Sequence, residues 1–280
     1  MSDIDEFFES IRRNDVVKVK DFLMRGIDVN SKRNGVTPLH VAVEQNNLPI
    51  VETLLEYGAN PDVISEPTGK SQLMYTPLQL ALSSKQINYL LINALIKHGA
   101  NVNLTGNSPH PLALATLRRD PKLVKLILDA GADIGIIITS KEQRNCVMNV
   151  LAITGVSGDI ETAKILIQYG ARVDQSGENL ITPYHTAAAA GQVRFLKFLM
   201  DIYHEPNIIG CHKRTPLFRA VEANLETTKY LVDEGADINA VDSFGNTPLA
   251  YAAYAKKLDI VNYLKKKGAI AMVNNKEVKF

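Results

Sequence analysis

The feature that most constrains this chain is a repeated phrase. Thr-Pro-Leu occurs at Thr37, Thr76, Thr215 and Thr247, with the variants "TPYH" at Thr182 and "HPLALA" at His110 in phase with it. A second phrase follows: "YGAN" from Tyr57, "HGANVN" from His98, "AGADI" from Ala130, "YGARVD" from Tyr169 and "EGADIN" from Glu234. Its glycine usually falls 21 residues after the threonine, as Gly58 does after Thr37 and Gly268 after Thr247. Counting back 21 from Gly170 reaches Asn149, and from Gly26 reaches Asp5, so two degenerate copies join the set. The repeats start at 5, 37, 76, 110, 149, 182, 215 and 247, with spacings of 32, 39, 34, 39, 33, 33 and 32. A unit this short cannot bury an apolar face alone, and stacked neighbours must supply a shared core.

The residue types explain each unit. Threonine caps a first helix, and proline follows at the first helical position, where its missing N–H costs nothing. Small residues at Ala42, Ala81, Ala115, Ala187, Ala220 and Ala252 let that helix pack closely. A short break follows, usually Asn or Gly, as at Asn46, Gly158 and Gly191. A second helix carries apolar residues at helical spacing, such as Ile50, Val51, Leu54 and Leu55, and the glycine of the second phrase ends it in the left-handed conformation.

A 33-residue period with a T-P-L-H-x-A phrase resembles the ankyrin-repeat family, and the resemblance covers residues 3 to 271. It implies an all-α ankyrin-repeat solenoid, curved and elongated, of about eight helix-turn-helix units with β-hairpin-like finger loops. Residues 1–271 are expected to form a single domain and 272–280 a loose tail. The first copy carries "DEFFESIRRND" where the Thr-Pro-Leu phrase should stand, which suits an N-terminal cap; Lys265, Lys266 and Lys267 solvate the last copy.

Composition excludes several alternatives. Lys and Arg total 31 against 30 Asp and Glu, which argues against nucleic acid as a partner. No apolar run approaches the length of a membrane span, so no membrane insertion is expected. The N-terminus has no secretory signature, and two cysteines do not make a disulfide framework; a cytoplasmic, monomeric protein is expected.

Departures from the repeat mark the informative places. Loops 59–75 and 132–148 are each longer than their counterparts, through the insertions "EPTGKSQLMY" and "IIITSKEQRNC". Repeat 3 has two extra residues before Gly99, which a longer helical turn would absorb, and repeat 7 has one fewer before Gly235. Repeat 6 replaces its glycine phrase with "YHEPN", with Pro206 as the breaker, and is expected to bend or flex.

Complete catalytic constellations are lacking. "GVSGD" at Gly155 places no base near its serine, and neither a phosphate-binding loop nor a nucleophile-elbow motif occurs. The ankyrin resemblance implies that His40 and His185 are structural, bonding within and between loops. His204, Cys211 and His212 are the nearest approach to a metal cluster but lack paired zinc spacing, so no catalytic residue, cofactor or metal is expected. Cys146 and Cys211 sit two repeats apart, and at about 10 Å per packed helix a disulfide between them is not expected.

The resemblance further implies contacts at the finger tips and the concave face of the first helices. By position these lie four, three and one residues before each repeat start and seven and eight after it. The expected partner-binding residues are Arg33, Asn34, Glu44, Gln45, Leu73, Tyr75, Arg118, Met148, His212, Arg214, Glu222, Phe244, Asn246 and Tyr254. Tyr and Arg among them are favoured interface anchors. The function expected is a non-enzymatic scaffold binding a partner protein or peptide. One alternative is a secreted effector or host-range factor of an intracellular bacterium or virus, acting in the host cytoplasm. A metal- or cysteine-dependent enzyme around Cys211 and His212 is the other.

Overall fold

The computed structural model describes residues 2–67, 74–105, 107–139, 146–177 and 179–279. The chain divides into two compact units, Met1–Arg118 with Lys122–Asp133, and Arg119–Pro121 with Ile134–Phe280. Sixteen α-helices occur among the described residues, two per repeat.

In the first unit the pairs are α1 (Asp3–Arg12) with α2 (Val16–Met24), α3 (Pro38–Glu44) with α4 (Leu48–Glu56), α5 (Pro77–Ser83) with α6 (Tyr89–Lys97), and α7 (Pro111–Leu117) with α8 (Pro121–Asp129). In the second they are α9 (Val150–Ser157) with α10 (Ile160–Gln168), α11 (Pro183–Ala189) with α12 (Val193–Ile202), α13 (Pro216–Ala223) with α14 (Leu225–Asp233), and α15 (Pro248–Tyr254) with α16 (Leu258–Lys266). Within each unit first helices pack on first helices, and second helices pack in the series α2, α4, α6 and α12, α14, α16. The stacked core holds Leu39, Ala42, Ile50 and Leu54 in one unit and Leu217, Ala220, Ala252 and Ile260 in the other, all buried.

Two left-handed positions punctuate every regular repeat. The residue nine after the repeat start has positive φ at Asn14, Asn46, Arg119, Gly158, Gly191 and Lys256. The stop glycine does the same at Gly58 (φ 85°) and its equivalents, where a side chain would be strained although space is open. Repeats 3 and 7 lack the first of these positions because their inter-helix turns differ in length. The two extra residues of repeat 3 enlarge the turn between α5 and α6 and lengthen neither helix. The reason lies in the next repeat: Arg118 Nε donates to the Leu82 carbonyl at 2.9 Å and Nη2 donates to that of Ser84, which ends α5. In repeat 7, Asn224 alone joins α13 to α14.

Successive repeats are stitched at the residue four after the stop glycine in four cases, and at Asn207, its equivalent, in repeat 6. Asn30 Oδ1 accepts from Asn60 N, Asp62 Oδ1 from Asn101 N and Asn103 Oδ1 from Asp133 N, each at 2.8 Å. In the second unit Asn207 Oδ1 accepts from Asp237 N at 2.7 Å and Asn239 Oδ1 from Ile270 N at 2.8 Å. Where the second phrase ends at Asn103 and Asn239, the short side-chain acceptor reaches a loop N–H that would otherwise be unpaired.

Three fingers of the second unit contain or adjoin short strands. β1 (Ile137–Thr139) pairs antiparallel with β2 (Val147–Asn149), which pairs in parallel with β3 (Leu180–Ile181), Met148 facing Ile181. Where a loose tail was expected beyond Ala271, the described residues include a short hairpin. β4 (Met272–Val273) and β5 (Lys276–Glu277) form a hairpin. It docks on the eighth finger through Asn275 N to Gly245 O at 2.9 Å and Asn274 N to Asn246 Oδ1 at 3.0 Å. Backbone groups of the eighth finger are paired by this return, Thr247 N donating to Met272 O at 3.2 Å as well.

Repeat 6, where a bend or local flexibility was expected, has its helix end hydrogen-bonded from the side. Without a stop glycine, α12 runs on to Ile202, and the buried Tyr184 hydroxyl donates toward the carbonyls of Leu199 and Tyr203 at its end. Pro206 is buried beneath, and Asn207 Nδ2 donates to Gly235 O at 3.1 Å.

Candidate partner-binding surface

The first helix of each repeat ends in solvent. The residue seven after the repeat start is exposed in repeats 2 to 8: Glu44, Ser83, Leu117, Val156, Ala189, Glu222 and Tyr254. Three of them are large and apolar: Leu117 is 60% exposed, Val156 56% and Tyr254 60%. In the first unit the row runs through Glu44, Ser83 and Leu117; in the second, through Val156, Ala189, Glu222 and Tyr254.

Fingers are held by buried side chains. His40 Nδ1 lies 2.8 Å from Thr37 Oγ1, and its Nε2 lies 3.0 Å from Tyr75 O on the next finger. His185 does the same with Thr182 Oγ1 at 2.7 Å and Arg214 O at 2.8 Å. A carbonyl only accepts, so Nε2 carries the proton and Nδ1 accepts from the hydroxyl. Gln79 copies the arrangement, its Oε1 accepting from Thr76 N and its Nε2 donating to Pro109 O at 3.0 Å. Burial pushes the His185 imidazole down to about 4 and lowers that of His40. Both therefore stay neutral, which fits a structural bridge and not proton transfer near neutral pH.

In the second unit the seventh and eighth fingers form a connected cluster. Arg214 Nε donates to the buried carboxylate of Asp242 at 3.1 Å, and the Tyr251 hydroxyl donates to the same oxygen at 2.8 Å. Asp242 Oδ1 also accepts from the backbone N–H groups of Phe244 and Asn246, each at 3.0 Å. The Arg214 guanidinium sits 4.5 Å over the Tyr251 ring and 5.9 Å from that of Phe244. The Phe244 ring, half exposed, lies 5.2 Å from that of His212. An aromatic tip is thus presented on a polar, fully bonded base.

Behind that tip Cys146 and Cys211 are joined in a disulfide, with Cα atoms 5.9 Å apart. This corrects the expectation from helix spacing. Helix spacing does not govern the fingers: Cys146 and Cys211 lean toward each other and are buried against the same side chain, Ile181 of the finger between them. β2 is bonded to β3, and Gly177 N donates to Ile209 O at 3.2 Å, so the fifth and seventh fingers close over Ile181 from both sides. The expected grouping of His204 with Cys211 and His212 is also corrected. His204 Nε2 is engaged 2.9 Å from Glu234 Oε2, and Cys146 takes its place beside Cys211 and His212.

Sequence comparison agrees with this architecture. A family model described as "Ankyrin repeat" matches residues 34–66, and one described as "Ankyrin repeats (3 copies)" matches 202–276. Residues 34–66 and 202–276 are ankyrin repeats, and the other helix pairs follow the same pattern. The chain is 29% identical over 289 residues to human transient receptor potential cation channel subfamily A member 1, covering 84% of this chain and 24% of that one. An ankyrin repeat protein of Acanthamoeba polyphaga mimivirus is 25% identical over 93% of this chain and 34% of its own length. One of fowlpox virus is 32% identical over 65% and 39%. The chain therefore spans about a quarter to two fifths of the length of these three relatives.

Within that ankyrin frame the expected contact residues separate into two groups. Asn34, Glu44, Gln45, Glu222, Phe244 and Tyr254 are exposed. Arg33, Tyr75, Arg118, Met148, His212, Arg214 and Asn246 are half-buried. Several of the second group already hold the repeats together: Arg33 pairs with Asp5 at 3.0 Å, and Arg118 and Arg214 are spent as described above. Gln45, though exposed, donates to Arg12 O at 3.1 Å. Leu73 lies outside the described residues. Leu117 and Val156 belong to the exposed row by position, and counting seven from each repeat start finds them. No helix is long and apolar enough to cross a membrane, among the described residues.

Proposed function

We propose that this ankyrin-repeat chain is a non-enzymatic scaffold that seats a partner protein or peptide on its second unit, along the exposed ends of the first helices and the seventh and eighth fingers. The observation that carries the reading is the exposure of Val156, Tyr254 and Phe244, in a unit where Arg214 is paired with Asp242 and Arg219 with Glu222. Apolar and aromatic groups held on a rigid base bind with little ordering cost. A non-enzymatic reading is supported by the engagement of buried His40 and His185 with carbonyls and hydroxyls within the repeats. Among the expected residues, Glu222, Phe244, Asn246 and Tyr254 carry the contact, with His212 and Met148 beneath it. The protein acts as a monomer and does not bind nucleic acid.

The test is site-specific photocrosslinking. A benzophenone amino acid at position 244 or 254 should give a discrete adduct in extracts of cells that contain the partner. The same probe at Lys229, on the second helix of repeat 7, should not. Adducts from position 229 and none from 244 or 254 would move the surface elsewhere.

The likeness to fowlpox and mimivirus ankyrin repeat proteins favours a host-directed role for the same surface. Crosslinked adducts formed in host-cell extract and absent from extract of the source organism would support that role; the reverse would refute it.

A further inference from the structure

We propose that Cys146, Cys211 and His212 form a zinc site that becomes available when the Cys146–Cys211 disulfide is reduced. Three donor atoms from two separate fingers converge: both Sγ atoms and a His212 ring nitrogen lie within 4.8 Å of one another. His212 Nε2 is 3.7 Å from Cys146 Sγ. Tetrahedral zinc with Zn–S near 2.3 Å and Zn–N near 2.05 Å holds its ligand atoms about 3.5–3.8 Å apart. The observed separation falls in that range, and relaxing two sulfurs from a covalent bond to that distance asks for little backbone movement. Thiolate and imidazole donors select a soft cation over magnesium or calcium.

The surroundings are those of a built site. Cys146 is 1% exposed and Cys211 3%, against Ile181 and Met148. His212 is half-buried and reaches the outside, where a fourth ligand from solvent or a partner completes the shell. Its backbone is left-handed (φ 62°), as is that of Lys213 (φ 57°). Two adjacent non-glycine residues in that region turn the chain sharply enough to bring a histidine next to the cysteine it follows. The Phe244 ring packs against the imidazole and limits its rotation.

The chemistry balances in two steps. A dithiol reductant supplies two electrons and two protons, the S–S bond breaks, two thiols form, and the reductant becomes its own disulfide. Zinc then binds; each thiol loses its proton to solvent as a Zn–S bond forms, and the neutral imidazole donates its lone pair. Two thiolates neutralise the dication, so no net charge is buried. The same three residues therefore tie the fifth finger to the seventh in either state, by a covalent bond or through the metal.

Cobalt(II) is the probe. The reduced full chain should bind one Co2+, showing thiolate-to-cobalt charge transfer and strong tetrahedral d–d absorption, both abolished by added Zn2+. The disulfide form should show neither. Cys146→Ser, Cys211→Ser and His212→Asn should each weaken binding by at least about tenfold, and asparagine tolerates the left-handed turn. His204→Asn should bind as the unaltered chain does. Circular dichroism reports whether each variant folds. For any that does not, zinc should slow alkylation of both cysteines in the reduced unaltered chain. No charge-transfer band, equal cobalt affinity in the oxidised chain or in His212→Asn, or alkylation that zinc leaves unchanged would overturn the site.

Discussion

The Tyr184 hydroxyl donates to the carbonyl of Leu199 at 3.1 Å, joining the first helix of repeat 6 to the end of its second. It also reaches the carbonyl of Tyr203. In the other repeats a left-handed glycine lets the helix end satisfy itself; in repeat 6 a buried phenol does so from the side. Burial raises the ionisation of this phenol well above the usual tyrosine range, so it stays a donor throughout the accessible pH range. Tyr184→Phe keeps the ring and removes the hydrogen bonds. A loss of about 1–2 kcal/mol is expected, read as a lower urea midpoint with an unchanged slope.

His185 makes stability depend on pH. Its folded value, about 4, lies below the unfolded value of 6.5, so the unfolded chain binds the extra proton first. The contribution is fully present above pH 6.5 and is lost as pH falls toward 4; it is on the order of 3 kcal/mol. Gln79 fills the same position in repeat 3 with the same pair of bonds. His185→Gln should therefore fold and flatten the fall in melting temperature between pH 7 and pH 4.5. An unchanged slope would place the acid sensitivity elsewhere.

Asp242 is a buried carboxylate with two side-chain donors and two backbone donors. Asp242→Ala leaves the Arg214 charge, itself largely buried, without its partner. The expected cost is about 3–5 kcal/mol. Hydrogen exchange should show the Phe244 and Asn246 amides losing protection first. A double-mutant cycle with Arg214→Met should recover part of the loss.

Gly155 is where α9 touches α11. A methyl group there would collide with Thr186 Oγ1 and lie 2.7 Å from Pro183 O. Gly155→Ala should destabilise by about 1–3 kcal/mol despite alanine's better helix propensity. Ser157→Ala, in the same "GVSGD" phrase, should cost under about 1 kcal/mol, since its hydroxyl bonds only to Thr154 O at 3.3 Å. Thermal melts of both variants check the pair.

The eight repeat starts, the helix pairs, the left-handed glycines and the exposed seventh position were all legible in the sequence. Each depends on residues within one 33-residue unit, where capping, proline placement and apolar spacing act locally. The bridging histidines were legible too, through the family phrase. The Asn and Asp ladder was printed in the same phrases but carries no meaning until two repeats lie side by side.

What only the tertiary structure decided are the contacts between repeats. Cys146 and Cys211 are 65 residues apart and meet because the fifth and seventh fingers converge on Ile181 of the finger between them. Arg33, Arg118 and Arg214 read as free interface anchors, yet each is held by a neighbouring repeat. The segment after Ala271 lacks any repeat pattern and still folds back, because the eighth finger has backbone groups to satisfy. The sequence determined the unit by local physics; the stack decided which side chains were left over to bind something else.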